Sequence, residues 1–151
     1  MPALGDQTVI MMGTGSNRQH VYLKALYHAL SEIRIQALRG FHAISGGDMT
    51  GRIFGKSKIA WWNTFVSASG NVLHALSGLG IDAEPDNSIL TGCEEFISHL
   101  LSPKKEQCHD SLEFRWYCFR GHDATQSADK LPPSQGAIHE YTRRAHVQSN
   151  V

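Results

Sequence analysis

Residues 41–58 decide the predicted fold, and they read Phe41-His42-Ala43-Ile44-Ser45-Gly46-Gly47-Asp48-Met49-Thr50-Gly51-Arg52-Ile53-Phe54-Gly55-Lys56-Ser57-Lys58. Apolar side chains at helical spacing predict a helix over 32–44. The pair Gly46-Gly47 is expected to end this helix, because glycine readily adopts positive φ. Ser57 is expected to cap a second helix over Ile59–Val66. The stretch therefore predicts two helices joined by a turn that carries Asp48.

The rest of the chain is predicted to be mainly helical, with one hairpin at the N-terminus. Two β-prone runs, Thr8–Met12 and Gln19–Leu23, flank a turn rich in glycine and asparagine. Because a two-stranded hairpin alone is marginal in water, we expect an exposed apolar edge at Thr8–Met12. Further helices are expected at 23–30, at 71–79, after capping-box patterns at 91–94 and 110–113, and after 132–134. The predicted fold class is mainly α, with about six helices.

Charge is unevenly distributed along the 151 residues, although the formal net charge is zero. Residues 1–81 carry seven basic and three acidic side chains, whereas residues 82–113 carry two basic and eight acidic ones. The zero balance excludes a polybasic tail protein and an acidic disordered one. The interval 49–81 contains Arg52, Lys56 and Lys58 and no acid, which indicates a local basic surface.

Cysteine usage and hydropathy indicate an intracellular protein, nuclear or cytoplasmic. Cys93, Cys108 and Cys118 are odd in number and irregular in spacing, unlike a disulfide framework. No apolar run approaches the roughly 20 residues that a membrane helix needs. The N-terminus lacks the basic region and apolar core of a secretory signal.

Residues 41–58 resemble a motif found in uncharacterised animal proteins that are often associated with transposons. That pattern runs His-Ala-x-Thr-Gly-Cys-Asp-x-Thr-Ser-x-Phe-x-Gly-Lys-Gly-Lys. The similarity extends upstream to 12–18 and 21–30 and, more loosely, downstream to 95–96, 113–119, 131–134 and 144–146. This family is in turn similar to PIN-like and flap-endonuclease nucleases. The resemblance implies the C-terminal part of a PIN/flap-endonuclease-like α/β domain. Residues 1–80 would hold the hairpin and a helix–turn–helix-like region, and 81–151 a helical extension.

The resemblance also implies roles for individual residues. Asp48 matches the catalytic carboxylate that helps to hold Mg²⁺ or Mn²⁺ in the complete family fold. The residues that match the turn gripping the DNA backbone are Gly51, Arg52, Gly55, Lys56, Ser57 and Lys58. Among the departures from the family pattern, Gly47 replaces cysteine, Gly51 replaces serine, and Ser57 replaces the second glycine of Gly-Lys-Gly-Lys.

The carboxylates of the chain argue against a complete nuclease site. Two-metal phosphodiester cleavage needs several carboxylates around ions about 3.5–4 Å apart. Between residues 7 and 81 only Glu32 and Asp48 are acidic. At about 1.5 Å per residue, the predicted helix separates them by roughly 20 Å, so they cannot share an ion. We therefore expect a fragment or degenerate relative of a structure-specific nuclease, inactive alone and with no stably bound metal.

A different class of function fits the same residues. The chain is alternatively a non-catalytic helical module that binds nucleic acid or protein through the turn at 46–58. Amide groups at a helix N-terminus attract phosphate, and Lys56 and Lys58 add positive charge. The simpler alternative is that these side chains form an ordinary solvated turn.

Other candidate sites are weaker. Gly51–Ser57 ends like a phosphate-binding loop but has three residues between its glycines instead of four. Cys108, His109, Cys118 and His122 could be assembled into a zinc site, although buried thiols and surface histidines are the simpler explanation. His42 could orient Asp48, with helix packing the simpler role. The spacing of Trp61, Trp62 and Phe65 favours core packing over base stacking.

Overall fold

The computed structural model describes residues 5, 8–12, 14–46, 56–102, 108–120 and 131–150. Its described part contains one hairpin and seven helices, which confirms the prediction of a mainly helical chain with an N-terminal hairpin. The elements in chain order are β1 (Val9–Met12), a 3₁₀ turn (Gly15–Asn17), β2 (Gln19–Tyr22), α1 (Leu23–Ala29), α2 (Glu32–Ile44), α3 (Lys58–Val66), α4 (Gly70–Gly78), α5 (Asn87–Leu101), α6 (Ser111–Arg120) and α7 (Gln135–Ser149).

The hydrophobic core lies among helices α2, α3, α4, α5 and α7. Its largest fully buried apolar side chains are Phe65, Phe96, Ile44, Leu76, Leu79 and Ile97. Helices α2 and α4 cross very closely at Gly40. A Cβ atom at this position would overlap the backbone carbonyl of Leu76. Helix α5 approaches α4 in the same way at Gly92, where a Cβ would overlap Ala75. These glycines bring the helical backbones together and fix the position of α5.

Aromatic packing holds α3 against the core. Trp61 and Phe65 are buried, and Phe65 stacks on Phe41 of α2 with ring centroids 4.5 Å apart. Trp61 also contacts Phe96 of α5 at a centroid distance of 5.8 Å. Core packing is therefore confirmed for Trp61 and Phe65, whereas Trp62 lies at the edge of the cluster with 37% of its surface exposed.

Polar contacts attach α7 to the rest of the bundle. The hydroxyl of Tyr141 donates to the carbonyl of Ile44 at 2.6 Å. The buried His146 accepts a hydrogen bond from the Gly80 amide at Nδ1 and pairs its Nε2 with the Asp82 carbonyl. Helix α7 therefore closes the core over the end of α2 and over the α4–α5 connection.

Helix α5 begins five residues earlier than the sequence patterns predict. A capping box at Thr91–Glu94 was the expected start, but Asp86 is the cap, and its carboxylate accepts from the Ile89 amide at 2.9 Å. Hydrogen bonds from Ile89 and Ser88 lower the pKa of Asp86 from its ordinary value. The Thr91–Glu94 stretch lies inside the helix, where Glu94 turns inwards.

The hairpin is antiparallel, with Val9 opposite Tyr22 and Met12 opposite Gln19. Its sheet contains only these two strands among the residues that the structure describes. Val9, Ile10 and Met11 are 39%, 48% and 57% exposed, which confirms the predicted exposed apolar edge. Within the described ranges, every helix is too short or too polar to cross a lipid bilayer.

Candidate functional site

The turn that carried the sequence-based prediction lies mostly outside the described residues. Asp48, Gly51, Arg52 and Gly55 all fall there, and so does His122 of the alternative zinc set. Their predicted roles therefore stay predictions. The remaining three predicted residues, Lys56, Ser57 and Lys58, stand at the beginning of α3.

The beginning of α3 has the local structure that the sequence predicts. The Ser57 hydroxyl accepts a hydrogen bond from the Ala60 amide at 3.2 Å, which confirms it as the cap. Lys58 is exposed, Lys56 is half-buried, and the first turn of α3 contains no acidic residue. The other amides of this turn stay directed outwards at the positive end of the helix, next to two cationic side chains.

A second group of residues comes together elsewhere, at α5 and the segment before α6. Glu95, His99 and His109 each place one potential ligand atom so that all three atoms lie within 4.8 Å of one another. Glu95 and His99 are four residues apart on α5 and therefore share one face of the helix. His109 lies two residues before the first residue of α6. Three metal-ligating side chains from two segments thus converge on one point.

His99 has an unusual environment within this group. Its Nε2 atom is buried, and no hydrogen-bond partner for it exists among the described residues. Its ring lies 5.7 Å from the ring of His109 between centroids, with the planes inclined by 70°. A buried polar atom without a partner costs free energy, so native proteins rarely keep one without a reason. If the nitrogen that converges with Glu95 and His109 is Nε2, a bound metal ion would supply the missing partner.

Glu95 is half-buried and borders a groove between α4 and α5. The groove has a volume of about 510 Å³, with Ala75 and Gly92 at the helix crossing. Its polar lining comprises Asn71, His74, Asn87, Ser88, Thr91 and Glu95. The Ser69 hydroxyl stands 3.5 Å from Oε1 of Glu95, at the limit of a hydrogen bond. Of the three converging residues, Glu95 lines this groove.

The neighbouring carboxylate, Glu94, lies in a buried polar network and is only 3% exposed. Its Oε1 accepts from the Ser111 amide at 3.0 Å and from the Ser111 hydroxyl at 2.6 Å. Its Oε2 accepts from Gln135 at 3.0 Å and lies 3.2 Å from Nε2 of His139. Burial raises the pKa of Glu94, but hydrogen bonds from Ser111, Gln135 and His139 outweigh it and leave the pKa below its ordinary value.

The structure changes the alternative zinc prediction. His109 belongs to the converging group, whereas Cys108 and Cys118 do not. Cys108 is a buried free thiol and Cys118 a half-buried one. Burial and the nearby Cys108 raise the pKa of Cys118, which disfavours the thiolate that zinc needs. Sequence reasoning missed Glu95 and His99, although their spacing of four residues on an expected helix is a recognisable signal.

The donor set indicates which ions fit. Two imidazoles and one carboxylate suit Zn²⁺ and related transition metals, whereas Mg²⁺ prefers oxygen ligands. In a tetrahedral zinc site, bonds of about 2.0–2.2 Å place ligand atoms roughly 3.3–3.5 Å apart. The largest separation that the present group allows, 4.8 Å, exceeds that spacing by about 1.3–1.5 Å, so metal binding would require the side chains to move closer together. Three protein ligands would leave a fourth position for water or another ligand.

Comparisons of this chain with protein-family models, with curated proteins and with solved structures found no match.

Proposed function

We propose that this protein is a helical metal-binding module that holds one divalent transition-metal ion, Zn²⁺ in the first instance, through Glu95, His99 and His109. The observation that supports it is the convergence of one potential ligand atom from each of the three residues within 4.8 Å. One of these residues, His99, also has a buried Nε2 that has no hydrogen-bond partner among the described residues. Zn²⁺ binding requires neutral imidazoles, so binding weakens as the pH falls and the histidines are protonated.

Zinc titration of the purified chain, with any histidine tag removed, tests this proposal. Calorimetry should show one site per chain, and Co²⁺ should give the visible absorption of a tetrahedral complex. His99→Ala should lower the affinity by more than about 100-fold, because loss of a supporting residue alone costs 10–100-fold. His28→Ala is the matched control, since His28 is an exposed histidine on α1. Equal affinities of wild type and His99→Ala would disprove the site.

A second candidate function concerns nucleic acid, and the beginning of α3 favours it. Its support is the capped, acid-free first turn beside Lys56 and Lys58, together with the sequence resemblance at 41–58. On this proposal the chain corresponds to the C-terminal part of a PIN-like nuclease domain. It binds the DNA backbone in the nucleus or cytoplasm and has no hydrolytic activity alone. Phosphate contacts of this kind are sequence-independent and weaken with salt.

A salt titration of binding to duplex and flap DNA tests the second candidate. The logarithm of the affinity falls with the logarithm of salt by about 0.9 per phosphate contact on duplex DNA. Lys56→Ala/Lys58→Ala should therefore reduce that slope by about 2 if both lysines contact phosphate. Arg143→Ala/Arg144→Ala removes the same formal charge from exposed positions on α7 and should leave the slope unchanged. Identical slopes for the two double variants would exclude the lysine contacts.

Cleavage assays separate a binding module from an active nuclease. We expect no Mg²⁺-dependent cleavage of flap or duplex DNA by this chain, because only Glu32 and Asp48 are acidic between residues 7 and 81 and two-metal cleavage needs several carboxylates. Robust cleavage that is lost in Asp48→Ala would show instead that the chain contains a working site.

A further inference from the structure

Two consecutive carboxylates of α5 lie in different environments. Glu95 is half-buried and belongs to the metal-ligating group, whereas Glu94 is 3% exposed and contacts α6 and α7. Glu94 does not belong to the converging set. A buried carboxylate next to a ligand residue has a cost in desolvation, and here hydrogen bonds to both of its oxygens offset it.

The first oxygen of Glu94 fixes the beginning of α6. Ser111, the first residue of that helix, donates both its amide and its hydroxyl to Oε1 and is itself 2% exposed. The hydroxyl bond of 2.6 Å is at the short end expected for a hydrogen bond to a charged acceptor. This pair therefore attaches the N-terminal end of α6 to α5.

The segment around Ser111 is internally hydrogen-bonded and includes the ligand His109. The His109 amide donates to Glu113 at 2.9 Å, and the Glu113 amide donates to Asp110 at 2.7 Å. These bonds hold residues 109–113 together as one unit. Whatever fixes Ser111 relative to α5 therefore also fixes the position of His109 relative to His99.

The second oxygen of Glu94 is held from α7. Gln135 donates to Oε2 at 3.0 Å, and His139 lies within hydrogen-bond distance of the same oxygen at 3.2 Å. With partners on both oxygens, the carboxylate cannot rotate without breaking a bond. Helix α7 is in turn anchored in the core through Tyr141 and His146.

We propose that Glu94 is the positioning residue of the metal site: it holds His109 against His99 and Glu95 by fixing the beginning of α6, without binding the ion. This inference rests on the proposed metal-binding function. On this inference, zinc affinity also depends on α7. Gln135 and His139 of α7 fix the Glu94 carboxylate, and Glu94 in turn fixes the beginning of α6. By linkage, bound metal should also strengthen the attachment of α6 to α5.

The variants form a graded series. Glu94→Gln keeps the shape of the side chain but replaces one acceptor oxygen with an NH₂ donor. That donor would face either Ser111 or Gln135, which are donors themselves, so one hydrogen bond to the side chain is lost. It should lower zinc affinity by about 10–100-fold, the range for residues that orient metal ligands. Gln135→Ala changes an exposed residue and removes one bond to Glu94, so it should lower the affinity less. Ser98→Ala is the control, because Ser98 is a buried polar residue of α5 outside the network.

Zn²⁺ titration by calorimetry and the visible spectrum of bound Co²⁺ are the readouts, with circular dichroism to confirm folding. A positioning role predicts a changed Co²⁺ spectrum in Glu94→Gln, since His109 moves in the coordination sphere. A merely structural role would lower stability and leave the spectrum of the folded fraction unchanged. Equal affinity and spectrum in Glu94→Gln and Ser98→Ala would overturn the inference.

The outcomes distinguish this inference from the proposed function. If the wild-type chain binds no Zn²⁺, the metal-binding proposal fails and the role of Glu94 fails with it. If wild type binds and Glu94→Gln binds equally well, the site stands and the positioning role is wrong. If Glu94→Gln does not fold, Gln135→Ala decides: an affinity identical to that of wild type overturns the inference.

Discussion

His146 is a buried histidine whose two ring nitrogens have different partners. It is 1% exposed, and its Nδ1 faces the Gly80 amide at 3.1 Å while its Nε2 faces the Asp82 carbonyl at 2.9 Å. An amide can only donate and a carbonyl can only accept, so Nδ1 must be unprotonated and Nε2 must carry the hydrogen. This one residue therefore connects α7 to both sides of the turn after α4.

We predict that His146→Ala lowers the free energy of unfolding by about 2–5 kcal/mol, because it leaves a buried donor unpaired and opens a cavity. Urea denaturation measures the change, and nitrogen NMR of wild type should show the Nε2-protonated tautomer. His42→Ala, at an exposed position on α2, should change the free energy by less than about 0.5 kcal/mol. An equally small effect of His146→Ala would show that the buried hydrogen bonds of His146 do not stabilise the fold.

Glu94 gives a prediction about acid stability. Its pKa lies below the ordinary value of 4.5 in the folded protein, because hydrogen bonds to the carboxylate outweigh its burial. Such a group stabilises the fold above the pKa of the unfolded chain, and that stability is lost as the pH falls through the folded pKa.

Urea midpoints measured from pH 7 down to pH 3 should therefore fall more steeply for wild type than for Glu94→Gln. Glu140→Gln, which changes an exposed carboxylate on α7, should follow the wild-type curve closely. Parallel curves for wild type and Glu94→Gln would show that the carboxylate contributes nothing to acid stability.

At the scale of the elements, sequence patterns predict the presence of a helix better than they predict its first residue or its buried face. Helix α2 and the cap of α3 follow directly from apolar spacing and from Ser57. Helix α5 starts earlier than expected, because Asp86 offers a better acceptor than Thr91. The apolar side chains that recur at helical spacing on α6 are exposed to solvent: Leu112 is 75% exposed, and Trp116 and Phe119 are each 58% exposed. Its buried face instead carries Ser111 and Phe114, since Ser111 pairs with Glu94.

The crossing of α2 and α4 allows a direct test of helix packing. Gly40→Ala would place a methyl group on the Leu76 carbonyl, so the two helices must separate. We predict a loss of about 1–3 kcal/mol of stability, the usual cost of overpacking. Gly136→Ala on α7 has open space around its new Cβ and should instead stabilise by roughly 0.5–1 kcal/mol. Urea denaturation of both variants measures the difference, and similar effects would contradict the close crossing.

For the whole molecule, the sequence predicts the class of fold but not the site. The helical content and the exposed hairpin follow from local patterns. The proposed metal site requires α6 to lie on α5, and this contact includes the pair Glu94 and Ser111, which are 17 residues apart. No sequence pattern around His109 predicts that its ring lies close to the ring of His99. The predicted site at Asp48 came from sequence resemblance and stays a prediction.

Metal binding should stabilise the entire fold. A ligand that binds only the folded chain adds about 2.7 kcal/mol to the free energy of unfolding at a free concentration of 100 times Kd. We therefore predict that Zn²⁺ raises the Tm of wild type and leaves the Tm of His99→Ala unchanged. Differential scanning calorimetry with and without a chelator measures the shift. An equal shift in both proteins would indicate binding elsewhere.

The N-terminal hairpin has a consequence for handling the protein. Among the described residues, β1 and β2 pair only with each other, so their outer edges keep free backbone donors and acceptors next to Val9, Ile10 and Met11. Such an edge is a template for further strands from other molecules. Prolonged storage at high concentration should therefore produce β-rich aggregates that grow from this end of the chain. Met11→Lys would introduce a charge at this edge and should suppress them.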